Sequence, residues 1–187
     1  MRITGGKVKG RHLATVKGLS IRPTSDRVRE AIFDLIGQHW EGKRVLDLFA
    51  GTGSLGLEAL SRGASEALFV DHSPYALKLL KKNIERCGFA CCSTVMRRDL
   101  RKTFPGKNLF GKDFFHLLFM DPPYRKNLIP KVMGDLAVSS LLSPGALLVA
   151  ECSKTEHPPS PIDPFVLHDT RTYGDTRITI YTYEVEE

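Results

Sequence analysis

The chain has 187 residues, of which 42% are hydrophobic and 26% are charged, and its formal net charge is +6. This composition is that of one folded globular domain and excludes a largely disordered chain. The sequence has no run of about 18 apolar residues that could span a membrane, and its N-terminus lacks an apolar stretch of signal-peptide length. We therefore expect a cytoplasmic protein that does not bind membranes.

The whole net charge lies in the first 30 residues, which hold eight Lys or Arg and two acidic residues. A basic segment on a neutral body is suited to a phosphate-backbone partner such as RNA. A merely solvated charged terminus is the alternative that charge alone leaves open. The four cysteines lack a metal-ligand spacing, so we expect reduced thiols and no metal.

Residues 1–22 are predicted to form a basic N-terminal arm, and residues 23–187 the main domain. Glycines interrupt short apolar positions in the arm, which predicts short strands or a hairpin. We hypothesise that cations of this region contact RNA: Lys7, Lys9, Arg11, Arg22, Arg27 and Arg29. Arg27 or Arg29 could instead pair with Glu30 or Asp34 along a helix.

A helix is predicted after Pro23-Thr24-Ser25, because apolar residues recur at helical spacing until Gly37 or Gly42 ends it. An apolar strand then ends in Asp47 and enters a glycine loop. The next helix closes at Arg62-Gly63. Strand, tight glycine turn and helix together predict a site for a small-molecule cofactor.

The loop, Gly51-x-Gly53-x-x-Gly56, formally matches the dinucleotide fingerprint, and Asp71 lies at the expected distance for a ribose contact. Asp47 argues against a dinucleotide, since its carboxylate would repel a pyrophosphate but would suit the ammonium group of S-adenosylmethionine. The pattern Asp-x-Phe-x-Gly-x-Gly also resembles motif I of class I methyltransferases.

The rest of the chain alternates strands and helices, which predicts a mostly parallel seven-stranded sheet with helices on both faces and a C-terminal antiparallel hairpin. Helices are expected from Ser73-Pro74 to Gly88 and over 127–142. Residues 101–113 should be a polar turn region that could hold a short helix, and 153–164 a proline-rich loop. The remaining strands are predicted at 66–71, 93–97, 114–120, 145–152, 165–169 and 177–183.

Four carboxylates fall at predicted strand ends, where ligands bind in such sheets: Asp47, Asp71, Asp99 and Asp121. Asp71 can bond adjacent ribose hydroxyls. Asp99 could accept from an adenine amino group while the Leu100 N–H donates to the ring, although a surface ion pair with a neighbouring arginine is an alternative for Asp99.

The turn Asp121-Pro122-Pro123-Tyr124 is the most specific chemical signal. Two prolines make a rigid turn whose carbonyls can point into a site. Asp121 and the Pro122 carbonyl could accept both hydrogens of an exocyclic base amine, which would direct its lone pair at a methyl donor, and Tyr124 could stack on the base. Such a base must be unstacked or single-stranded.

Three segments together resemble the RsmD family of bacterial 16S ribosomal RNA guanine-N2 methyltransferases, and the likeness covers nearly the whole chain: 22–30, 47–63 and 121–124. The resemblance implies the class I S-adenosylmethionine-dependent methyltransferase fold, with S-adenosylmethionine as the methyl donor. It also implies that the acceptor is guanine N2 of 16S ribosomal RNA in a partly assembled 30S subunit. A monomer is expected. The expected catalytic residues are Asp121, Pro122, Pro123 and Tyr124, and the expected cofactor contacts are Asp47, Phe49, Gly51, Gly53, Asp71, His72, Asp99 and Leu100.

Other functions stay open from the residues alone. An adenine-N6 methyltransferase would use the same catalytic turn, so guanine depends on the family resemblance. A protein-glutamine methyltransferase would favour Asn at the start of that turn. An NAD-dependent oxidoreductase would need a substrate domain for which 187 residues leave no room, and a non-enzymatic RNA-binding module leaves the carboxylates unexplained.

Overall fold

The computed structural model describes residues 1–15, 25–105, 114–123, 128–156 and 160–185. The helices are α1 (Asp26–Ile36), α2 (Ser54–Ser61), α3 (Pro74–Cys87) and α4 (Leu128–Ala137), with a short 3-10 helix at Ala90–Cys92. The strands are β1 (Arg44–Leu48), β2 (Glu66–Asp71), β3 (Ser93–Arg97), β4 (Phe115–Met120), β5 (Leu142–Ser153), β6 (Phe165–Tyr173) and β7 (Thr176–Tyr183).

The strands form one seven-stranded sheet in the order β3-β2-β1-β4-β5-β7-β6. The first five strands in this order are parallel, whereas β7 runs antiparallel between β5 and β6. Tyr173 pairs with Thr176, so a two-residue turn beginning at Gly174 (φ 62°) joins the last two strands. The predicted mostly parallel sheet with a C-terminal antiparallel hairpin is confirmed.

Local sequence signals account for several element boundaries. The Ser25 hydroxyl accepts from the Val28 N–H at 3.2 Å and caps α1, and Gly37 ends that helix. The Ser73 hydroxyl accepts from the Ala76 N–H at 3.3 Å at the start of α3. These caps satisfy backbone N–H groups that a helix leaves unpaired.

The boundary between α4 and β5 differs from the prediction. The helix expected over 127–142 ends at Ala137, where the Ser139 hydroxyl donates to the Leu136 carbonyl at 2.7 Å and Ser140 turns to φ 51°. The strand then begins at Leu142 and continues through Gly145 as a bulge, because Phe115 pairs with Leu142 and the ladder resumes at Leu147.

Apolar side chains fill both faces of the sheet. One face packs α1, α2 and α3 through residues such as Ile32, Leu57 and Leu80. The other packs α4 through residues such as Val132, against Leu118 of the sheet. No helix in the described ranges is long and apolar enough to cross a membrane.

Residues 1–15 form a narrow hairpin on the helical face that holds α1, α2 and α3. Arg2 and His12 form an antiparallel bridge, the Ile3 N–H donates to the Arg11 carbonyl at 3.0 Å, and Ile3 and Leu13 are buried in the core. This agrees with the predicted hairpin as far as residue 15. Predictions over 16–24 and 106–113 lie outside the described residues.

Candidate active site

The register of the central strands brings the predicted carboxylates to one edge of the sheet. Leu48 at the end of β1 lies beside Val70 of β2 and Met120 of β4. Asp71 and Asp121, each one residue further along, therefore leave the sheet at the same edge as the glycine loop. β3 adjoins β2 on the outer side, and Asp99 follows it. This edge is where ligands bind in parallel sheets.

The glycine loop has an unusual backbone. Gly51 and Gly53 have φ of 55° and 80°, and Phe49, which is not a glycine, has φ of 62°. A side chain at Gly51 would meet one atom within 4 Å, the Phe49 carbonyl oxygen at 3.9 Å. The backbone at Gly51 is therefore open to a ligand, and the conformation at Phe49 is of the strained kind that clusters at functional sites.

The glycines at 53 and 56 serve a different purpose from Gly51. A Cβ at Gly53 would collide with Leu80, and one at Gly56 would collide with the Phe69 ring and lie 3.0 Å from Asp47 Oδ2. Their hydrogen side chains allow close packing of the start of α2 on α3 at Gly53 and on the sheet at Gly56. The sequence pattern does not separate these packing glycines from the one that faces the open edge.

Replacing Gly56 with alanine should destabilise the fold by about 1–3 kcal/mol, because the added methyl group overpacks the core against Phe69. The matched control is Gly134→Ala in α4, where an added Cβ meets nothing within 4 Å. That change should stabilise the protein by about 0.5–1 kcal/mol through helix propensity. Urea denaturation measures both variants, and equal effects would contradict this account.

Asp47 is buried beneath the glycine loop. Its Oδ2 accepts from the Gly56 N–H at 2.9 Å, and within the described ranges its Oδ1 accepts no hydrogen bond. Burial, with a smaller contribution from the Asp71 charge, raises the pKa of Asp47 to about 7, against the opposing effect of the Gly56 hydrogen bond. A buried carboxyl with a free oxygen is suited to a cationic ligand group, whose charge would favour ionisation.

Asp71 is also buried and organises the loop. Its Oδ2 accepts from the Gly51 N–H and its Oδ1 from the Ser73 N–H, both at 2.8 Å. Asp71 therefore links the glycine loop to the start of α3. The exposed His72 side chain lies at the same edge, and its Nδ1 is 3.5 Å from Asp71 Oδ1.

Asp99 forms a two-pronged ion pair with Arg101, at 2.7 Å to Nε and 2.8 Å to Nη2. The hydrogen bond from Arg101 lowers the pKa of Asp99 to about 2. The predicted alternative for Asp99, a surface ion pair with a neighbouring arginine, is thus observed with Arg101. Leu100 beside it is buried in the core, and adenine contacts by this pair stay a prediction.

The proposed catalytic turn follows β4 at the same edge. Asp121 is half-buried, Pro122 is buried and Pro123 is exposed. Tyr124 lies outside the described residues. Because β1 and β4 are neighbours, this turn and the glycine loop flank the same gap between strands.

Of the predicted RNA-contacting cations, Lys7 lies away from this edge. Lys7, Lys9, Arg11 and Arg27 are exposed, and Arg22 lies outside the described residues. The Lys7 N–H donates to the Ser61 carbonyl at 2.6 Å, which places the hairpin tip at the far end of α2. Eight residues of helix put this tip about 12 Å from the glycine loop along the helix axis.

Arg29 corrects the hypothesis that it contacts RNA. Its side chain is fully buried, donating to Glu58 Oε2 at 3.0 Å and to Asp26 Oδ1 at 2.9 Å. A guanidinium in this position cannot reach a macromolecular ligand. It is a structural residue of the domain.

Glu58 is a buried residue that the sequence interpretation missed. Its carboxylate accepts from the N–H groups of Thr4 and Gly5 at 2.8 and 2.7 Å and from Arg62 Nε at 2.9 Å, besides Arg29. Glu58 thus joins the N-terminal hairpin to α1 and α2. An available signal was the pairing of Glu58 with Arg62 at i, i+4 on a helix that is otherwise apolar.

Comparisons with known proteins agree with this geometry. The family described as "Conserved hypothetical protein 95" matches residues 1–182. Ribosomal RNA small subunit methyltransferase D of Escherichia coli is 30% identical over 190 residues, covering 100% of this chain and 91% of its own. The solved structure of yhhF from Escherichia coli is 31% identical, with a TM-score of 0.86 over 100% of this chain and 99% of that chain.

A more distant structure shows the fold alone. It is an RNA methyltransferase from Salinibacter ruber in complex with S-adenosyl-L-homocysteine, 17% identical, with a TM-score of 0.63 over 89% of this chain and 96% of that chain. Together with the strand order, these likenesses establish the class I methyltransferase fold. The chain is therefore a member of the RsmD family.

Proposed function

We propose that this protein transfers a methyl group from S-adenosylmethionine to the exocyclic N2 of a guanine in 16S ribosomal RNA, within a partly assembled small subunit. The observation that carries the proposal is the adjacency of β1 and β4, which sets the Asp121-Pro122-Pro123 turn beside the glycine loop. The name of the Escherichia coli relative, a small-subunit ribosomal RNA methyltransferase, supports the RNA class.

The residues at the sheet edge fit S-adenosylmethionine. Gly51 leaves open space above the loop, and Asp47 keeps one oxygen for the ammonium group of the methionine part. Asp71 can accept hydrogen bonds from ribose hydroxyls at lone pairs that the Gly51 and Ser73 N–H groups do not use. The S-adenosyl-L-homocysteine in the Salinibacter ruber structure supports this choice of cofactor.

When bound, the cofactor supplies an already activated methyl group, so the protein contributes mainly positioning. The Asp121 carboxylate and the Pro122 carbonyl accept the two amino hydrogens of the target base. These hydrogen bonds favour a pyramidal nitrogen whose lone pair is directed at the donor. The target base must be unpaired to enter the gap, which agrees with an assembling particle as substrate.

Nucleoside analysis tests the acceptor. Purified protein, labelled S-adenosylmethionine and 30S particles that lack the modification should yield N2-methylguanosine in the 16S RNA. N6-methyladenosine would support the adenine alternative, which uses the same turn. Calorimetry with S-adenosylhomocysteine and with NAD tests the cofactor, and tighter binding of NAD would overturn the proposal.

Replacing Asp121 with alanine should reduce methyl transfer by a factor of at least about 100, since a positioned hydrogen-bond acceptor at the reacting amine is lost. Affinity for S-adenosylhomocysteine should change less than threefold, because Asp121 acts on the base. Single-turnover transfer assays and calorimetry measure the two quantities. A matched control is Asp175→Ala, at the exposed β6–β7 turn, which should alter neither.

A further inference from the structure

The outward face of α3 carries a row of cations that the catalytic proposal does not use. Lys78, Lys82 and Arg86 follow one another at intervals of four residues, and all three are exposed. Four residues advance a helix by about 6 Å and return to nearly the same side. We call these three residues the α3 basic face.

Acidic partners do not neutralise the α3 basic face. Within the described ranges, none of its three cations has a carboxylate at ion-pair distance. Some exposed cations elsewhere are paired, namely Lys154 with Asp175 at 2.8 Å and Arg171 with Asp169 at 3.0 Å, whereas Lys43 is exposed and has no ion pair in the described ranges. Positive charge that is left without internal partners along one helix is suited to an extended anionic ligand.

One end of the α3 basic face meets the N-terminal hairpin. The buried Asn83 amide on α3 accepts from the Ala14 N–H at 2.7 Å and donates to the Ala14 carbonyl at 3.1 Å. Burial raises the pKa of the Cys87 thiol at the end of α3, and the nearby Arg11 charge opposes this shift. Arg11, an exposed cation of the hairpin, therefore lies near the C-terminal end of α3.

The other end of the α3 basic face meets the cofactor edge. Ser73, which caps α3, donates through its N–H to Asp71. Tyr75 in the first turn is 51% exposed and lies on the same side of the helix as Lys78. The positive row thus leads from the active-site edge to the hairpin.

We propose that the α3 basic face is the track along which the sugar-phosphate backbone of the substrate RNA leaves the active site towards the hairpin. This inference rests on the proposed function, because it takes RNA as the anionic ligand. Long, unpaired lysine and arginine side chains contact phosphates without reading sequence. The track also explains how cations at the hairpin tip, which lies at the far end of α2 from the glycine loop, can bind the same RNA molecule.

The test is the triple variant Lys78→Gln, Lys82→Gln, Arg86→Gln. Binding of a 16S RNA fragment should weaken at least tenfold at about 0.1 M salt, and the slope of log affinity against log salt should become shallower by about 1 per cation removed. Affinity for S-adenosylhomocysteine and the transfer rate at saturating RNA should stay unchanged, while KM for the RNA rises.

The control removes three exposed cations elsewhere, of which Lys154 and Arg171 are ion-paired: Lys43→Gln, Lys154→Gln, Arg171→Gln. It loses the same charge and should change the salt slope much less. Equal slopes for the two variants would overturn the track. If the salt slope is shallower for the α3 variant but the transfer assay yields no N2-methylguanosine, the RNA track is supported and the proposed function is overturned. If the assay yields N2-methylguanosine but the two variants have equal salt slopes, the proposed function is supported and the RNA track is overturned.

Discussion

Glu58→Gln should lower the free energy of unfolding by about 3–5 kcal/mol, a large fraction of the stability of a domain this size. The neutral amide cannot balance Arg29, which is fully buried, or Arg62, which is 6% exposed. The carboxylate of Glu58 accepts from the Thr4 and Gly5 N–H groups through both of its oxygens, whereas the glutamine amide has only one acceptor oxygen. Urea denaturation at neutral pH measures the loss.

The matched control is Glu85→Gln, which removes an exposed carboxylate from α3 and should stay within about 0.5 kcal/mol of the parent. Hydrogen exchange adds a local test, since the Thr4 and Gly5 amides should exchange faster in Glu58→Gln. A stability change as small as that of the control would show that the buried cluster is not what holds the hairpin.

Asp47→Asn should stabilise the ligand-free protein and weaken cofactor binding at the same time. The pKa of Asp47 rises from 3.8 in the unfolded chain to about 7 in the fold. Its contribution to stability is therefore complete below the unfolded pKa and is lost as the pH rises towards 7. The amide stays neutral and can still accept from Gly56.

The stability advantage of Asp47→Asn over the parent should thus grow by about 2–3 kcal/mol between pH 5 and pH 8, and should level off above pH 7. Urea denaturation across this range measures it, with Asp34→Asn, an exposed carboxylate on α1, as control. An advantage that does not vary with pH would contradict the raised pKa.

Calorimetry gives the second half of the prediction. Affinity of the parent for S-adenosylhomocysteine should rise with pH up to about 7, because Asp47 must ionise to accept the ligand's ammonium group. Asp47→Asn should bind about 10–100-fold more weakly, as expected for the loss of a charge-assisted hydrogen bond, and should lose this pH dependence. A pH dependence that survives the substitution would assign it to another group.

Much of the fold was predictable because its signals are local. Helix caps at Ser25 and Ser73, and apolar runs of strand length, depend on neighbours a few residues away. The positions of Asp47, Asp71 and Asp121 were predictable for the same reason, since parallel strands bring their carboxyl ends to one edge whatever their order.

Features that depend on distant pairing were not predictable. The bulge at Gly145 exists because β5 pairs with Phe115, which no local pattern encodes. Arg29 has the sequence context of an exposed helical arginine, and its burial depends on Glu58, which lies 29 residues further along the chain. The conformation of Phe49 likewise has no signature in its residue type.

Asn83 links the two regions to which the proposals above assign RNA binding and cofactor binding. Its buried amide bonds Ala14 of the hairpin on one side and donates to the Thr52 carbonyl of the glycine loop at 3.0 Å on the other. A chain shortened by its first fifteen residues would remove the hairpin partners of this amide, next to the loop. The hairpin and the glycine loop therefore share one internal support, and we expect loss of the hairpin to weaken ligand binding at the loop.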